Sequence, residues 1–274
     1  MKTLLVPVDF SPVADNAMRY AIDMGMAIDA GIVLVNVYQV PVAYTDVPVS
    51  MLSIDEIRHS SEEKLRKLEE DLRHMTAGRL SIRTVSKMGN TVDVLEELCE
   101  STEPFAVIMG SHGTTGIERL IMGSTTLSAM RHIKYPIIVI PPGTTYKTIN
   151  KIGLACDFRD VEDSVPVEFI KRIVHEFGAE LHVLNVESKN QHDHDKRVQE
   201  ATVLKRMLGD ITPTYHFLQQ ENVVEGVNQF ADSNNLDVVM VIPRKHKLLD
   251  ALFSKSKSKE LVTHAHIPIV SIHE

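Results

Sequence analysis

The chain repeats itself, and that repeat limits its fold more than any other feature. Thr3-Leu4-Leu5-Val6-Pro7-Val8-Asp9-Phe10 returns as Lys151-Ile152-Gly153-Leu154-Ala155-Cys156-Asp157-Phe158. Ile32–Val37 returns as Leu181–Val186, and Pro136–Ile140 returns as Pro268–Ile272. Three blocks in the same order mean that one structural unit is used twice. Between the copies lies Pro141-Pro142-Gly143-Thr144-Thr145, a turn-rich joint, which divides the chain into residues 1–145 and 148–274.

Each half alternates strand and helix patterns. The strands of the first half are expected at Thr3–Val8, Ile32–Val37, Ser81–Lys87, Ala106–Met109 and Ile137–Ile140. They are continuous apolar or β-branched runs, as expected of strands covered on both faces. Ser11-Pro12 reads as an N-cap followed by a first-turn proline. Ala14, Ala17, Met18, Ala21 and Gly25 then make one small-residue helical face. Ile54, Ile57, Ser61, Leu65, Leu68, Leu72 and Met75 make a second stripe, read as core-facing, and Val92, Leu95 and Cys99 make a third. The alternation predicts an α/β fold of two tandem, doubly wound, five-stranded parallel sheets. Val40 to Ser53 reads as a long loop, suited to a lid or an interdomain contact.

The richest chemical signal follows the fourth strand. Gly110-Ser111-His112-Gly113, nine further residues, then Gly123-Ser124 place a glycine loop between a strand and a helix. Glycine lets main-chain N–H groups approach an anion, and the helix start adds its positive dipole end. Ser124 and Thr125 open a helix running toward His132, so their N–H groups lack intrahelical partners. In a doubly wound sheet of order 3-2-1-4-5, ligands bind between strands 1 and 4. Asp9, at the end of strand 1, is therefore expected opposite Gly110.

Composition narrows the function classes. Of 274 residues, 43% are apolar and 24% charged, enough for a buried core. A net charge of −8 argues against a general nucleic-acid binder. Cys99 and Cys156 are the two cysteines, and both fall in apolar patterns, as buried thiols of a reducing compartment do. No leader pattern or membrane-length apolar run is read, so a soluble cytoplasmic protein is expected, with no membrane partner.

These motifs, Val-Asp-Phe-Ser at strand 1 and G-x-x-G-x9-G-[S/T] after strand 4, resemble the universal stress protein family. The chain looks like a tandem member, with two domains of the adenine-nucleotide alpha hydrolase-like fold packed through their last strands as an intramolecular pseudo-dimer. The resemblance implies a stress-response regulatory protein that binds ATP in its first domain, with or without Mg, and answers to an unidentified protein partner. It implies that Asp9 organises hydrogen bonds around the adenine. Val37 would offer backbone hydrogen bonds to the base edge, with Pro7 and Val8 packing nearby. Met109 and Gly110 would approach the ribose, and Gly113, Gly123, Ser124 and Thr125 would hold phosphate oxygens. His112, in the same loop and counted with the cofactor-binding residues, reads as shaping that loop, with a general base as the alternative.

The second half departs from this pattern. Asp157 is kept, but Gly110 is matched by Val241, Gly113 by Arg244 and Gly123 by Ser254, in a loop reading Ile242-Pro243-Arg244-Lys245-His246-Lys247. Proline removes a donor and the large side chains occupy the phosphate's space, so weak or absent ATP binding is expected there. Arg244, Lys245, Lys247, Lys255, Lys257 and Lys259 read as a solvated basic stretch, with an anion or acidic-partner site as the alternative. Gln191-His192-Asp193-His194-Asp195 reads as a polar loop, because zinc would need further ligands.

Two other functions compete with nucleotide-regulated binding: a slow ATPase and a nucleotide-free interaction scaffold. The chain has no G-x-x-x-x-G-K-[S/T] and no nucleophile–base set beside the glycine loop, which argues against fast phosphoryl transfer. A dehydrogenase is disfavoured because its glycines belong after strand 1.

Overall fold

The computed structural model describes residues 1–39, 51–111, 122–187, 194–243 and 267–273. The first half runs β1 (Lys2–Pro7), α1 (Pro12–Ile28), β2 (Ala30–Tyr38), α2 (Met51–Met75), β3 (Ile82–Met88), α3 (Thr91–Thr102), β4 (Ala106–Gly110), α4 (Ser124–His132) and β5 (Ile137–Ile140). The second runs β6 (Lys151–Ala155), α5 (Val161–Ser164), α6 (Val167–Phe177), β7 (Glu180–Glu187), α7 (His194–Leu208), β8 (Thr214–Gln219), α8 (Val223–Asn234), β9 (Val238–Val241) and β10 (Ile269–Ser271).

Each half has the expected order, β3-β2-β1-β4-β5 and β8-β7-β6-β9-β10, with parallel pairs throughout. The two sheets are not separate. β5 and β10 pair antiparallel, Ile269 with Val139 and Ser271 with Ile137, giving one ten-stranded sheet. The last-strand packing expected of a pseudo-dimer is thus a main-chain ladder, which satisfies two edges that would otherwise be open.

Strand periodicity sorts the core into two layers. Leu4, Val6, Ile32, Leu34, Ile108 and Ile138 face α1, α2, α6 and α7, while Leu5, Val33, Val35, Val107 and Val139 face α3, α4 and α8. Each layer contains residues of both halves. Across the seam the Lys2 ammonium pairs with Glu176 at 2.6 Å, Arg172 donates to the Phe105 carbonyl at 3.0 Å, and His273 contacts the Met130 carbonyl. The Pro/Gly/Thr joint is anchored: the Asn16 amide donates to the Pro141 and Thr144 carbonyls, and Tyr146 stacks edge-on against Tyr20.

Helix starts follow the sequence. The Ser11 hydroxyl accepts from the Ala14 N–H ahead of a first-turn proline, and the Asn90 side chain accepts from the Val92 and Asp93 N–H groups. In the second half Pro166 splits the counterpart of α1 into a single turn, α5, and the longer α6. Three expectations need correction. Met51–Ser53 belong to α2 rather than to the preceding loop; residues 40–50 of that loop lie outside the described residues. Met75 is 62% exposed, because it falls at the last turn, beyond Leu72, while Leu65 and Leu72 are buried as expected. His194 and Asp195 open α7 instead of lying in a loop, and residues 191–193 lie outside the described residues.

Neither cysteine is in a disulfide, and both are buried. Burial, helped by Glu96 and Glu100, pushes the Cys99 thiol up to about 12, so it is an inert packing group. Among the described residues no helix is long and apolar enough to cross a membrane.

Ile138 is buried at the seam, paired with Val270. We expect Ile138→Ala to cost about 2–5 kcal/mol, read by urea unfolding, with loss of signal from both halves in one transition because the layers are shared.

Candidate functional site

A cavity of about 280 Å³ opens at the carboxyl ends of the strands of the first half, near the lower end of the roughly 300–1,000 Å³ of small-molecule sites. Pro7, Val8 and Asp9 line it from the end of β1, Val35 and Val37 from β2, Met109 and Gly110 from β4, and Gly123, Ser124, Thr125 and Thr126 from the start of α4. These include every residue singled out from sequence except His112 and Gly113, which lie outside the described residues. Ala14 and Thr91 also line it, and these two, with Val35 and Thr126, were missed. Thr91 had a readable signal, since it follows the helix-capping Asn90 at the end of strand 3 and so had to emerge on the ligand side of the sheet. Thr126 had none; its hydroxyl donates to the Gly110 carbonyl at 2.9 Å and ties α4 to the end of β4.

The two ends of the cavity differ in charge. Asp9 lies two residues beyond β1, where its Oδ1 accepts from the Ser11 N–H at 3.0 Å. Phe10 beside it adopts φ +61°, a conformation disfavoured for a bulky residue. Phe158 repeats it at φ +50°, so the turn itself demands it. At the opposite end α4 starts on Gly123 with no side-chain cap, which leaves the dipole end and its N–H groups directed at the cavity.

Among the described residues, the wall between these ends has a backbone edge without a ladder partner. The β1–β2 ladder stops at Pro7 opposite Val35, with a last bond from the Val8 N–H to the Val35 carbonyl, whereas β2 continues to Tyr38. In a parallel ladder the next rung would run from the Val37 N–H to the Val8 carbonyl. That carbonyl instead accepts from the Asn36 side-chain amide at 2.7 Å. The Val37 N–H and carbonyl point toward the cavity past the end of β1.

Gly110 is needed for packing. A Cβ there would lie 2.6 Å from the Val13 methyl and 3.0 Å from its carbonyl oxygen, so the first turn of α1 closes onto β4 only because position 110 has no side chain.

The second half superposes on this geometry with a register that corrects the sequence alignment. Phe105 N–H donates to the Thr3 carbonyl, and Asp237 N–H to the Lys151 carbonyl. Gly110 is therefore matched by Ile242, not by Val241, and Ser111 by Pro243. Ile242 is 3% exposed in the apolar layer with Phe158 and Val161. Phe158 is 2% exposed where Phe10 is 41% exposed. Thr91 becomes Val223, the first residue of α8. The basic stretch 244–259 lies outside the described residues.

With this geometry in view, comparison with known proteins is direct. The model of the Universal stress protein family matches residues 1–141. The chain belongs to that family. Universal stress protein MJ0531 of Methanocaldococcus jannaschii is 25% identical over 141 residues, 51% of this chain and 81% of that protein. The crystal structure of a universal stress protein from Archaeoglobus fulgidus DSM 4304 aligns over 99% of this chain and 96% of its own, with TM-score 0.70 and 18% identity. A functionally unknown protein, PA1789 from Pseudomonas aeruginosa PAO1, aligns over 100% of this chain and 92% of its own, with TM-score 0.60 and 10% identity. The universal stress protein fold thus spans both halves, although the family's sequence match covers the first.

A second polar feature marks the second half. His182 and His216 stack at 5.3 Å with Nδ1 and Nε2 3.0 Å apart, beside Glu180 and Phe230; their counterparts by register are Val33 and Val85. Burial, then the neighbouring His182, hold the His216 imidazole below its ordinary value. A lowered folded value favours the neutral ring. This contribution is therefore complete above about 6.5, the unfolded value, and is lost as pH falls through the folded one. His216→Val should flatten the fall of Tm between pH 7 and pH 5 relative to wild type, measured by calorimetry; parallel profiles would show that folding does not lower the His216 value.

Proposed function

We propose that this universal stress protein binds an adenine nucleotide in the first-half cavity and acts as a regulator whose conformation or partner choice follows occupancy. The observation that carries the reading is the joining, in one cavity, of an acid, an open strand edge between apolar walls, and an uncapped helix start bearing hydroxyls. The base lies between Val8, Val35, Val37 and Met109, with its hydrogen-bonding edge on the Val37 main chain and Asp9 beside it. The phosphates lie at the start of α4, where the N–H groups and hydroxyls of Ser124 and Thr125 favour an anion, beside Gly123, whose own N–H donates to the Ser111 carbonyl.

Regulation is favoured over turnover by the lining itself. Among the described lining residues none is cationic and Asp9 is the one carboxylate, whereas rapid phosphoryl transfer needs cations and metal on the transferring group. Among the described residues no cluster of three or more His, Cys, Asp or Glu is placed to hold a metal. A Mg ion accompanying the phosphates would rest on their oxygens and on water. In the second half Ile242 and Val223 replace Gly110 and Thr91, which supports its reading as a nucleotide-free partner. In this division residues 1–145 bind and residues 148–274 brace the shared sheet.

ATP at 100 times its Kd is expected to stabilise the full chain by about 2.7 kcal/mol, read as a rise in Tm, with one site per chain by titration calorimetry. Asp9→Ala should weaken binding at least tenfold. No shift with ATP, ADP or AMP, or two equivalent sites per chain, would overturn the reading.

A further inference from the structure

The geometry points to Asn36 as a positioning residue that keeps the Val37 main chain open to the nucleotide base, with Ser61 and Ser86 locking its amide; this rests on the adenine-nucleotide reading above. Asn36 lies on β2, Ser61 on α2 and Ser86 on β3. The Ser61 hydroxyl donates to Asn36 Oδ1 at 2.7 Å and lies 2.6 Å from the Ser86 hydroxyl. Because Ser61 spends its proton on Asn36, it accepts from Ser86. The relay thus runs one way, from Ser86 through Ser61 and Asn36 to the Val8 carbonyl. Asn36 and Ser61 are both more than nine-tenths buried, where each such bond has a strong preference for its partner.

The relay decides where the β1–β2 ladder ends. If the Asn36 amide did not occupy the Val8 carbonyl, that carbonyl would be a buried acceptor one rung from the Val37 N–H, and closing that rung would satisfy it. Closure would remove the donor that the base needs. Ser61 fixes which end of the amide is oxygen, so the NH2 group, not Oδ1, meets Val8.

The second half provides an internal comparison. The Asn185 amide donates to the Cys156 carbonyl at 2.9 Å, copying the first bond. Phe217, by register the counterpart of Ser86, brings no hydroxyl, and Asn185 Oδ1 is buried without a partner among the described residues. The clamp belongs to the repeat, while the lock behind it belongs to the half with the cavity.

The test uses the full chain and titration calorimetry with ATP, inosine triphosphate and tripolyphosphate. Adenine presents a donor beside a ring acceptor, matching one main-chain carbonyl and N–H; hypoxanthine reverses the pair. Wild type should prefer ATP over inosine triphosphate at least tenfold. Asn36→Leu, which keeps the volume but frees the Val8 carbonyl, should lower ATP affinity to that of inosine triphosphate and leave tripolyphosphate binding unchanged. Ser61→Ala, which keeps the clamp but frees the amide to turn, should lose part of the preference and guards against misfolding of Asn36→Leu. In wild type the Val37 amide resonance should shift on adding ATP but not tripolyphosphate. A purely structural role would weaken all three ligands together. If both variants keep the ATP preference, or the Val37 resonance does not move with ATP, the role of Asn36 is overturned while nucleotide binding stands. If wild type binds no adenylate at all, the nucleotide reading fails and this role with it.

Discussion

β2 runs three residues past the last rung it shares with β1, and this mismatch in strand length underlies the candidate site. A parallel ladder buried on both faces must satisfy every main-chain group. Where one strand turns away and its neighbour continues, a side chain must cover the orphaned carbonyl and the neighbour's groups face outward. Asn36 does the first, and Val37 is left to the second. The Asp9-Phe10 turn that ends β1 also brings a carboxylate to the mouth of the cavity and starts α1 against Gly110.

The seam between β5 and β10 explains why two copies of the unit can differ so much. Antiparallel pairing merges the sheets and both helical layers, so either half is supported by the other. A half so braced tolerates change at these positions: Ile242 and Phe158 are packed into an apolar layer where the first half has Gly110 and the exposed Phe10.

Much of the architecture was legible before any coordinates. Buried parallel strands write themselves as unbroken apolar runs, Ser11-Pro12 announces a helix start, and glycines at 110 and 123 mark close approach. Met75 and the Met51 start of α2 were misread because a helix stripe says where a face is, but not where the neighbouring core stops. The match of Gly110 to Val241 failed by one residue for a related reason: apolar runs of equal hydrophobicity slide freely along one another, and only the Thr3–Phe105 and Lys151–Asp237 hydrogen bonds pin them.

By itself the sequence determined the repeat, the alternation of strands and helices, the strand order implied by that class and the set of residues around Asp9 and Gly123. Each of these is encoded locally, in hydrophobic period and turn chemistry. Tertiary structure alone decided that the sheets join antiparallel, that Phe10 stays exposed while Phe158 is buried, and that Asn36 rather than Val37 satisfies Val8. Those outcomes depend on which distant groups meet, and a main-chain donor has no sequence signature until its partner is in place.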